Sequence, residues 1–598
     1  TTVKVKTDIA NKNFKSGYQE IDKEVHKVQI LDPATGTGTF LAEIIKHVHK
    51  KFKGQTGIWS SYAENNLLPR LNGFELLMAS YSMAHLQLDL LLKETGFKPT
   101  KDQRTRVYLT NSLEEYHPDT GTLFANWLSS EANEANHIKR DSPVMCIIGN
   151  PPYSGVSANK GEWIMSLMED YKKEPGGIAK LNERNPKMVN DDYVKFLRYG
   201  QHFIDKNGSG VLAFINPHGF LDSTTFRGMR WNLLKTYDKI FTIDLHGNSK
   251  KKETAPDGSA DINVFDIQQG VSINVFVKTG KKRANELGKV FHYDLYGKRE
   301  FKYDFLNENS LNTIKYKELP NVEPQYFFVP KDFRGKTEYE NGFQLSNLFG
   351  ISTSGVKTHR DAFVIDYLKQ DLVSRISDFF DTETSNEEIL SKYVLKAKSD
   401  WLNEKRKGDF SPTNVAKIFY RPFDTRWVYY SPDLVDRGRE KIFNASIHND
   451  NIGLLTCRQL STFDFQHILI SKNLADMCSV SLQTKETGYY FPLYIYPVTN
   501  SQKSIGQSDI RTPNLNTEIV KQISISLGLT FTNEIESIEN TFAPINILDY
   551  IYGVLHSPTY RGKYKEFLKI DFPRVPYPKD QITFWQLVKL GAEIRQLH

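Results

Sequence analysis

The stretch IIGNPPYSG, residues 147–155, runs apolar residues directly into Asn150, Pro151, Pro152 and Tyr153. Neither proline has an N–H for a strand ladder, so an apolar strand over Val144–Ile148 must stop there. The stop is its carboxyl end, where open α/β sheets bind ligands. An amide, two stiffening prolines and an aromatic ring are thus presented at a binding edge. A second stretch, ILDPATGTGTFLAEII (residues 30–45), follows another short apolar run. Asp32 closes that run, Gly36 and Gly38 permit a tight turn, and a helix begins near Thr39. The backbone N–H groups of such a turn attract an anionic group. The GxGxxG of a dinucleotide fold is absent, because Phe40 and Leu41 follow.

Two further strand ends carry polar groups. Gly73-Phe74-Glu75 places a carboxylate where it can accept both hydroxyl protons of a ribose. A surface glutamate at a strand end reads the same way. YLTNSL (residues 108–113) places Asn111 where an amide can read an adenine, and alone it is unremarkable. The order is what carries the signal: three polar ends on three successive strands, then Asn-Pro-Pro-Tyr on the fourth. His218 and His246 also fall at strand ends and read as satisfied loop histidines.

The elements that must hold these residues alternate. Strand-like runs are Val28–Leu31, Leu71–Phe74, Arg106–Leu109, Val144–Ile148, Gly210–Ile215, Lys239–Leu245 and Val271–Val277. Helical patterns lie between them; Phe40, Leu41, Ile44, Ile45 and Val48 share one face. Such alternation predicts a mainly parallel sheet with helices on both sides. The polar loop GNSKKKETAPDGSADIN before the last run has no helical period and predicts an antiparallel seventh strand. Residues 281–335 are polar and basic and read as a connector. A helical stretch follows from Leu368 to Trp401, with Ser385 and Glu388 spaced as a capping box, and then short aromatic segments.

Composition bounds the class. With 598 residues, length alone gives about two to four domains. No run of about 18 apolar residues predicts a membrane span, and the N-terminal stretch TTVKVKTDIANKNFK is no signal peptide. Cys146, Cys457 and Cys478 make no metal or disulfide pattern, which fits a reduced, cytoplasmic setting. A net charge of +6 leans weakly toward an acidic partner. There is no GxxxxGK[ST] loop, so the chain does not read as a motor or kinase.

Taken together, the motifs resemble an N6-adenine DNA methyltransferase of the subgroup whose cofactor motifs precede the catalytic motif and a recognition domain. The resemblance implies an α/β fold: a seven-stranded S-adenosylmethionine-dependent methyltransferase (Rossmann-like) domain followed by a mixed α+β DNA specificity domain. In that family the Asn side-chain oxygen and the next carbonyl accept hydrogen bonds from the adenine amine. That assigns Asn150, Pro151, Pro152 and Tyr153 to catalysis, with Tyr153 stacking on a base flipped from the duplex. Phe226, in TTFRGMR, matches the second stacking position, although Phe226 as a core residue and Phe220 as its competitor stay open. Asp32, Ala34, Thr35, Gly36, Gly38, Glu75 and Asn111 match the S-adenosyl-L-methionine pocket.

The segments YRPFDTRWVYY (420–430), FPLYIYP (491–497), YIYGVLHSPTYRGKYKEF (550–567) and IDFPRVPYP (570–578) narrow the family. They resemble the specificity domain of type ISP restriction–modification enzymes, single polypeptides that also carry a nuclease and a helicase-like motor. Read without the resemblance, those aromatics are mostly core. The division implied is methyltransferase 1–280, connector 281–335 and target recognition 336–598, with double-stranded DNA as partner. Arg421, Arg426, Arg458 and Arg561 are the residues that could reach phosphates or guanines. A Tyr-Thr-Pro-like cofactor stretch, upstream of the glycine loop in the family, has no match before Asp32, so the cofactor pocket is expected to be incomplete. The competing readings are methylation of a glutamine amide or of RNA, and a DNA-binding specificity module without catalysis.

Overall fold

Apolar residues alternate along the strands of the N-terminal part, and the two faces they define are both covered. Ile30, Leu71 and Val107 face one cluster, built on the helices Thr39–Lys50 and Met78–Glu94. Leu31, Phe74, Tyr108 and Ile147 face the other, packed under the helix Asp192–Asn207. Period-two alternation with helices on both sides is the mark of a doubly wound sheet. The computed structural model describes all residues except 1, 11–12, 14–17, 102, 116–125, 156, 184–185, 396–398, 441, 444–448, 462, 497–510 and 537.

A hairpin comes first, β1 (Thr2–Ala10) against β2 (Tyr18–Glu24). The large sheet contains β3 (Gln29–Asp32), β4 (Leu71–Glu75), β5 (Val107–Leu109), β6 (Val144–Gly149), β7 (Gly210–Pro217), β8 (Lys239–Asp244), β9 (Val271–Lys278), β10 (Lys289–Asp294) and β11 (Lys317–Leu319). Its order is β11-β10-β8-β9-β7-β6-β3-β4-β5. β9 runs antiparallel to both β7 and β8, as its polar approach loop predicts. The order reverses between β3 and β6, which are hydrogen-bonded neighbours. That reversal opens a crevice at the carboxyl ends, and both chemistry-bearing motifs leave from it.

The sheet is larger than the seven strands read from the sequence. Residues 281–335, read as a connector, contribute β10, parallel to β8, and β11, antiparallel to β10. Their basic flanks mask a half-buried alternation in which Val290 and His292 point inward. The helix Arg299–Glu308 that follows is fastened by a fully enclosed ion pair. Lys302 Nζ lies 2.8 Å from Asp261 and also donates to the carbonyls of Leu245 and Ile262. The compact units divide at Lys331 and Asp332 rather than at 280 and 336.

The second unit, Asp332–His598, is mixed α+β. It holds two four-stranded sheets, centred on Gly453–Cys457 with Gly488–Pro492 and on Val415–Arg421 with Asp424–Tyr429. The helices Pro544–His556 and Gln581–Leu597 complete the core. Most of the aromatic residues fill it: Tyr429, Tyr490, Phe491 and Tyr552 are all enclosed. The expected long helical stretch is three shorter helices, Lys369–Phe380, Asn386–Lys392 and Ser399–Lys405. Ser385 and Glu388 do form the reciprocal capping box. Residues 396–398 of that stretch and Pro497 of FPLYIYP lie outside the described residues. No helix among the described residues is long and apolar enough to cross a membrane.

Candidate functional site

The glycine loop is folded by its own backbone needs. Gly36 and Gly38 have φ of 57° and 90°, the left-handed region that side chains resist. Thr35 donates its N–H to the Phe74 carbonyl at 3.0 Å and its hydroxyl to the Asp32 carbonyl at 3.0 Å, which lays the loop across β4. A Cβ at Gly73 would sit 2.5 Å from Thr35 Oγ1, so that strand position must stay bare. Asp32 is wholly buried. Its Oδ1 accepts the Ala34 N–H at 3.1 Å, while Oδ2 has no hydrogen-bond partner. Burial pushes the Asp32 carboxyl up to about 7, with the nearby Glu75 charge adding and the Ala34 N–H opposing.

Glu75 and Asn111 stand at the expected strand ends but are already engaged. Glu75 accepts the N–H groups of Gly36 (2.8 Å), Leu76 (2.9 Å) and Leu77 (2.8 Å). A carboxylate has about four acceptor positions, so it retains capacity for a hydroxyl. Asn111 accepts from Leu113 N at 3.0 Å and donates to Glu114 and to Asn159 at 3.2 Å. Sequence reading missed three neighbours. Ser112 donates from its buried hydroxyl to the Pro33 carbonyl, tying the third strand end to the glycine loop. Leu76 and Leu77 are 60% and 63% exposed beside Glu75, an apolar rim suited to a flat base.

Asn150 leaves β6 exposed, while Pro151 is buried. The Tyr153 hydroxyl faces two acceptors, the Asn150 side-chain oxygen and the Ile215 carbonyl, the latter at 3.2 Å. Its ring leans against the main core cluster and against Ile243, Leu245 and Val271. Burial holds the phenol protonated by raising its pKa. β6 and the glycine loop are in direct contact, since a Cβ on Gly149 would lie 2.8 Å from Asp32 Oδ1. The chain therefore enters the Asn150 loop directly beside the Asp32 carboxyl.

Phe226 departs from its expected place. It closes a short 3-10 turn at 1% exposure, inside the main core cluster. A ring so enclosed offers no free face to a base; Phe220 is equally buried. The histidines form a network. His218, Asp244 and His246 bring ligand-type atoms within 4.8 Å of one another. Every ring nitrogen there has a partner. His218 Nδ1 meets Asp244 at 2.9 Å; His246 meets Glu253 and Asp294, each at 2.9 Å. Asn248 spends its side-chain oxygen on Lys251 N, so its amide donates to His218 Nε2. Three carboxylates overcome burial and push His246 up to about 10, and the imidazolium stacks on Tyr296 at 3.8 Å.

Arg421, Arg426, Arg458 and Arg561 of the second unit all have internal partners. Arg421 pairs with Asp476 at 2.8 Å and lies over Tyr420. Arg426 pairs with Asp424 and lies over both Tyr367 (3.9 Å) and Tyr420 (4.2 Å). Those two are brought together on one tyrosine. Arg458 pairs with Asp571, and Arg561 donates to the Leu555 carbonyl at 2.6 Å.

The strand order, the reversed β9 and the glycine loop at the switch point define the S-adenosylmethionine-dependent methyltransferase fold. Residues 73–250 match the family model of the Eco57I restriction-modification methylase, and residues 347–598 that of the Type ISP C-terminal specificity domain. The chain thus resembles a restriction-modification methylase in its first unit and a Type ISP specificity domain in its second. No curated protein matches it. Among solved structures, the ATP-dependent Type ISP restriction-modification enzyme LlaBIII bound to DNA is 21% identical, with a TM-score of 0.74, 96% of this chain covered and 37% of that one. A nuclease-deletion mutant of the Type ISP enzyme LlaGI with a DNA substrate mimic is also 21% identical, with a TM-score of 0.69 and coverages of 96% and 44%. The DrdV–DNA complex gives 21%, 0.70, 96% and 54%. The chain therefore spans about half or less of the length of these neighbours.

Proposed function

We propose that the chain methylates the exocyclic N6 amine of an adenine swung out of duplex DNA, using S-adenosylmethionine, as the modification and specificity part of a restriction–modification enzyme. The observation that carries this reading is Asn150, exposed at the switch point beside Asp32. The amine of adenine is a poor nucleophile because its lone pair is delocalised into the ring. The Asn150 side-chain oxygen and the Pro151 carbonyl accept its two hydrogens, which draws the nitrogen toward tetrahedral geometry. Tyr153 holds the Asn150 oxygen in place and offers its ring to the base. Positioning and electrostatics do the work.

Asp32 Oδ2, buried without a partner, suits the ammonium of the cofactor's methionine end. A Cβ at Gly36 would meet nothing within 4 Å, so the loop opens on free space. Glu75 and Leu76 are placed for the ribose and adenine. When bound, the cofactor supplies an electrophilic methyl group on a sulfonium.

The test is expression of the chain in a host lacking adenine methylation, followed by sequencing of modified bases. N6-methyladenine at a fixed place in one recurring sequence is expected. Label from methyl-tritiated cofactor appearing on protein glutamine or RNA instead would replace this reading. A second expectation concerns pH. The free-state Asp32 carboxyl titrates near 7, and an ammonium requires it ionised. Affinity for S-adenosylhomocysteine should therefore rise about tenfold per unit below pH 7, equivalent to about 1.4 kcal/mol, and level off above it. Calorimetry between pH 6 and 8 checks this; a flat profile, identical in Asp32→Asn, removes Asp32 from the pocket.

A further inference from the structure

The helix Asp192–Asn207 begins with two adjacent carboxylates that both turn back to the loop behind Tyr153. Asp191 accepts the N–H of Ser154, the residue after Tyr153, at 3.1 Å. Asp192 accepts the Ser157 hydroxyl and, at 3.1 Å, the Asn159 side-chain amide. One turn along the helix, Lys195 donates to Ser157 Oγ at 2.6 Å and to the Asn159 carbonyl. Lys195 is only 1% exposed; burial lowers its proton affinity and Asp192 opposes that. The Asn159 carboxamide has a second arm. Its oxygen accepts the Asn111 amide at 3.2 Å. One amide thus joins the strand end assigned to the cofactor's adenine with the carboxylate pair that holds the base loop.

Resting on the function proposed above, we infer that Asn159, held by Asp192 and Lys195, is a positioning residue that couples the cofactor and base subsites. Ordering Asn111 by the cofactor fixes Asn159 and with it the loop that follows Asn150–Tyr153. The base then meets a loop already ordered, and less conformational entropy remains to be lost. Linkage makes the effect reciprocal: each ligand must tighten the other by the same factor. A role confined to stability would change melting and leave that factor untouched.

The measurement uses the full chain and the duplex whose methylated sequence the base sequencing reveals, with 2-aminopurine at the methylated position. S-adenosylhomocysteine is titrated by calorimetry with and without this duplex, and the duplex by fluorescence with and without S-adenosylhomocysteine. In the parent, each should tighten the other about tenfold, within the usual range of coupling between sites. In Asn159→Ala the factor should fall toward one while each ligand still binds alone. Asn159 is half-buried, so its truncation spares the core; Asn111→Ala and the double variant should lose no more coupling than Asn159→Ala alone. Retention of the parental factor in Asn159→Ala, or a factor of one in the parent, overturns the inference and leaves the proposed function standing. A parent that binds neither probe overturns both.

Discussion

Asn150→Ala should reduce methyl transfer by about 10²–10³-fold or more while leaving DNA binding nearly intact. The magnitude is that of removing one preorganised group from a charge-stabilising site. Asn150 is exposed, and its side chain is held within the loop by the Tyr153 hydroxyl alone among the described hydrogen bonds. Its truncation therefore leaves no cavity in the core. Tyr153 keeps the Ile215 carbonyl as a partner, so its ring stays in place. Tyr153→Phe should give a smaller loss, worth about 1 kcal/mol for one hydrogen bond. Tyr153→Ala removes a stacking face worth about 1–3 kcal/mol and should weaken base capture as well. Single-turnover transfer of labelled methyl, beside gel-shift binding to the same duplex, separates these effects. An Asn150→Ala chain working at the parental rate would end the proposed mechanism.

The largest change in specificity should come from exchanging residues 332–598 for those of a relative with another target. The hybrid should methylate the relative's sequence. The groups proposed for the chemistry all lie in the first unit, whereas reading a duplex site needs side chains that reach several base edges. The second unit is the part that matches a specificity domain. The exchange belongs at Lys331/Asp332, where the compact units divide, so that β10 and β11 stay with their sheet. Within the second unit, loss of a single bidentate base contact should cost about 1–3 kcal/mol and relax one position of the site. Loss of a phosphate contact should weaken every sequence alike and flatten the salt dependence. Modified-base sequencing of DNA exposed to the hybrid gives the answer. An active hybrid that keeps the original sequence would place recognition in the first unit.

What could be read from the sequence was local chemistry. Glycines at φ of 57° and 90°, a Pro-Pro stop and short apolar runs each determine their own backbone, so strands β3 to β9 stood where the residues placed them. Strands β10 and β11 were hidden because basic flanks outweigh a half-buried alternation when composition is the guide. Phe226 shows a different limit. TTFRGMR has the same spelling whether its ring stacks on a ligand or fills a core, and only tertiary packing decides. The arginines are similar: Arg426 on Tyr367 and Arg458 on Asp571 are pairings across long sequence separations. Asp192 and Lys195 escaped notice because their partner loop lies more than thirty residues upstream.

The enclosed Lys302–Asp261 pair sets where this protein can be divided by recombination. A crossover after residue 280 would strand Asp261 without its cation, and breaking such a pair costs about 3–5 kcal/mol, a large part of a domain's stability of about 5–15 kcal/mol. A division that keeps this pair intact leaves residues 281–331 with the sheet they extend, so the segment's place is fixed by a charge rather than by its own basic composition.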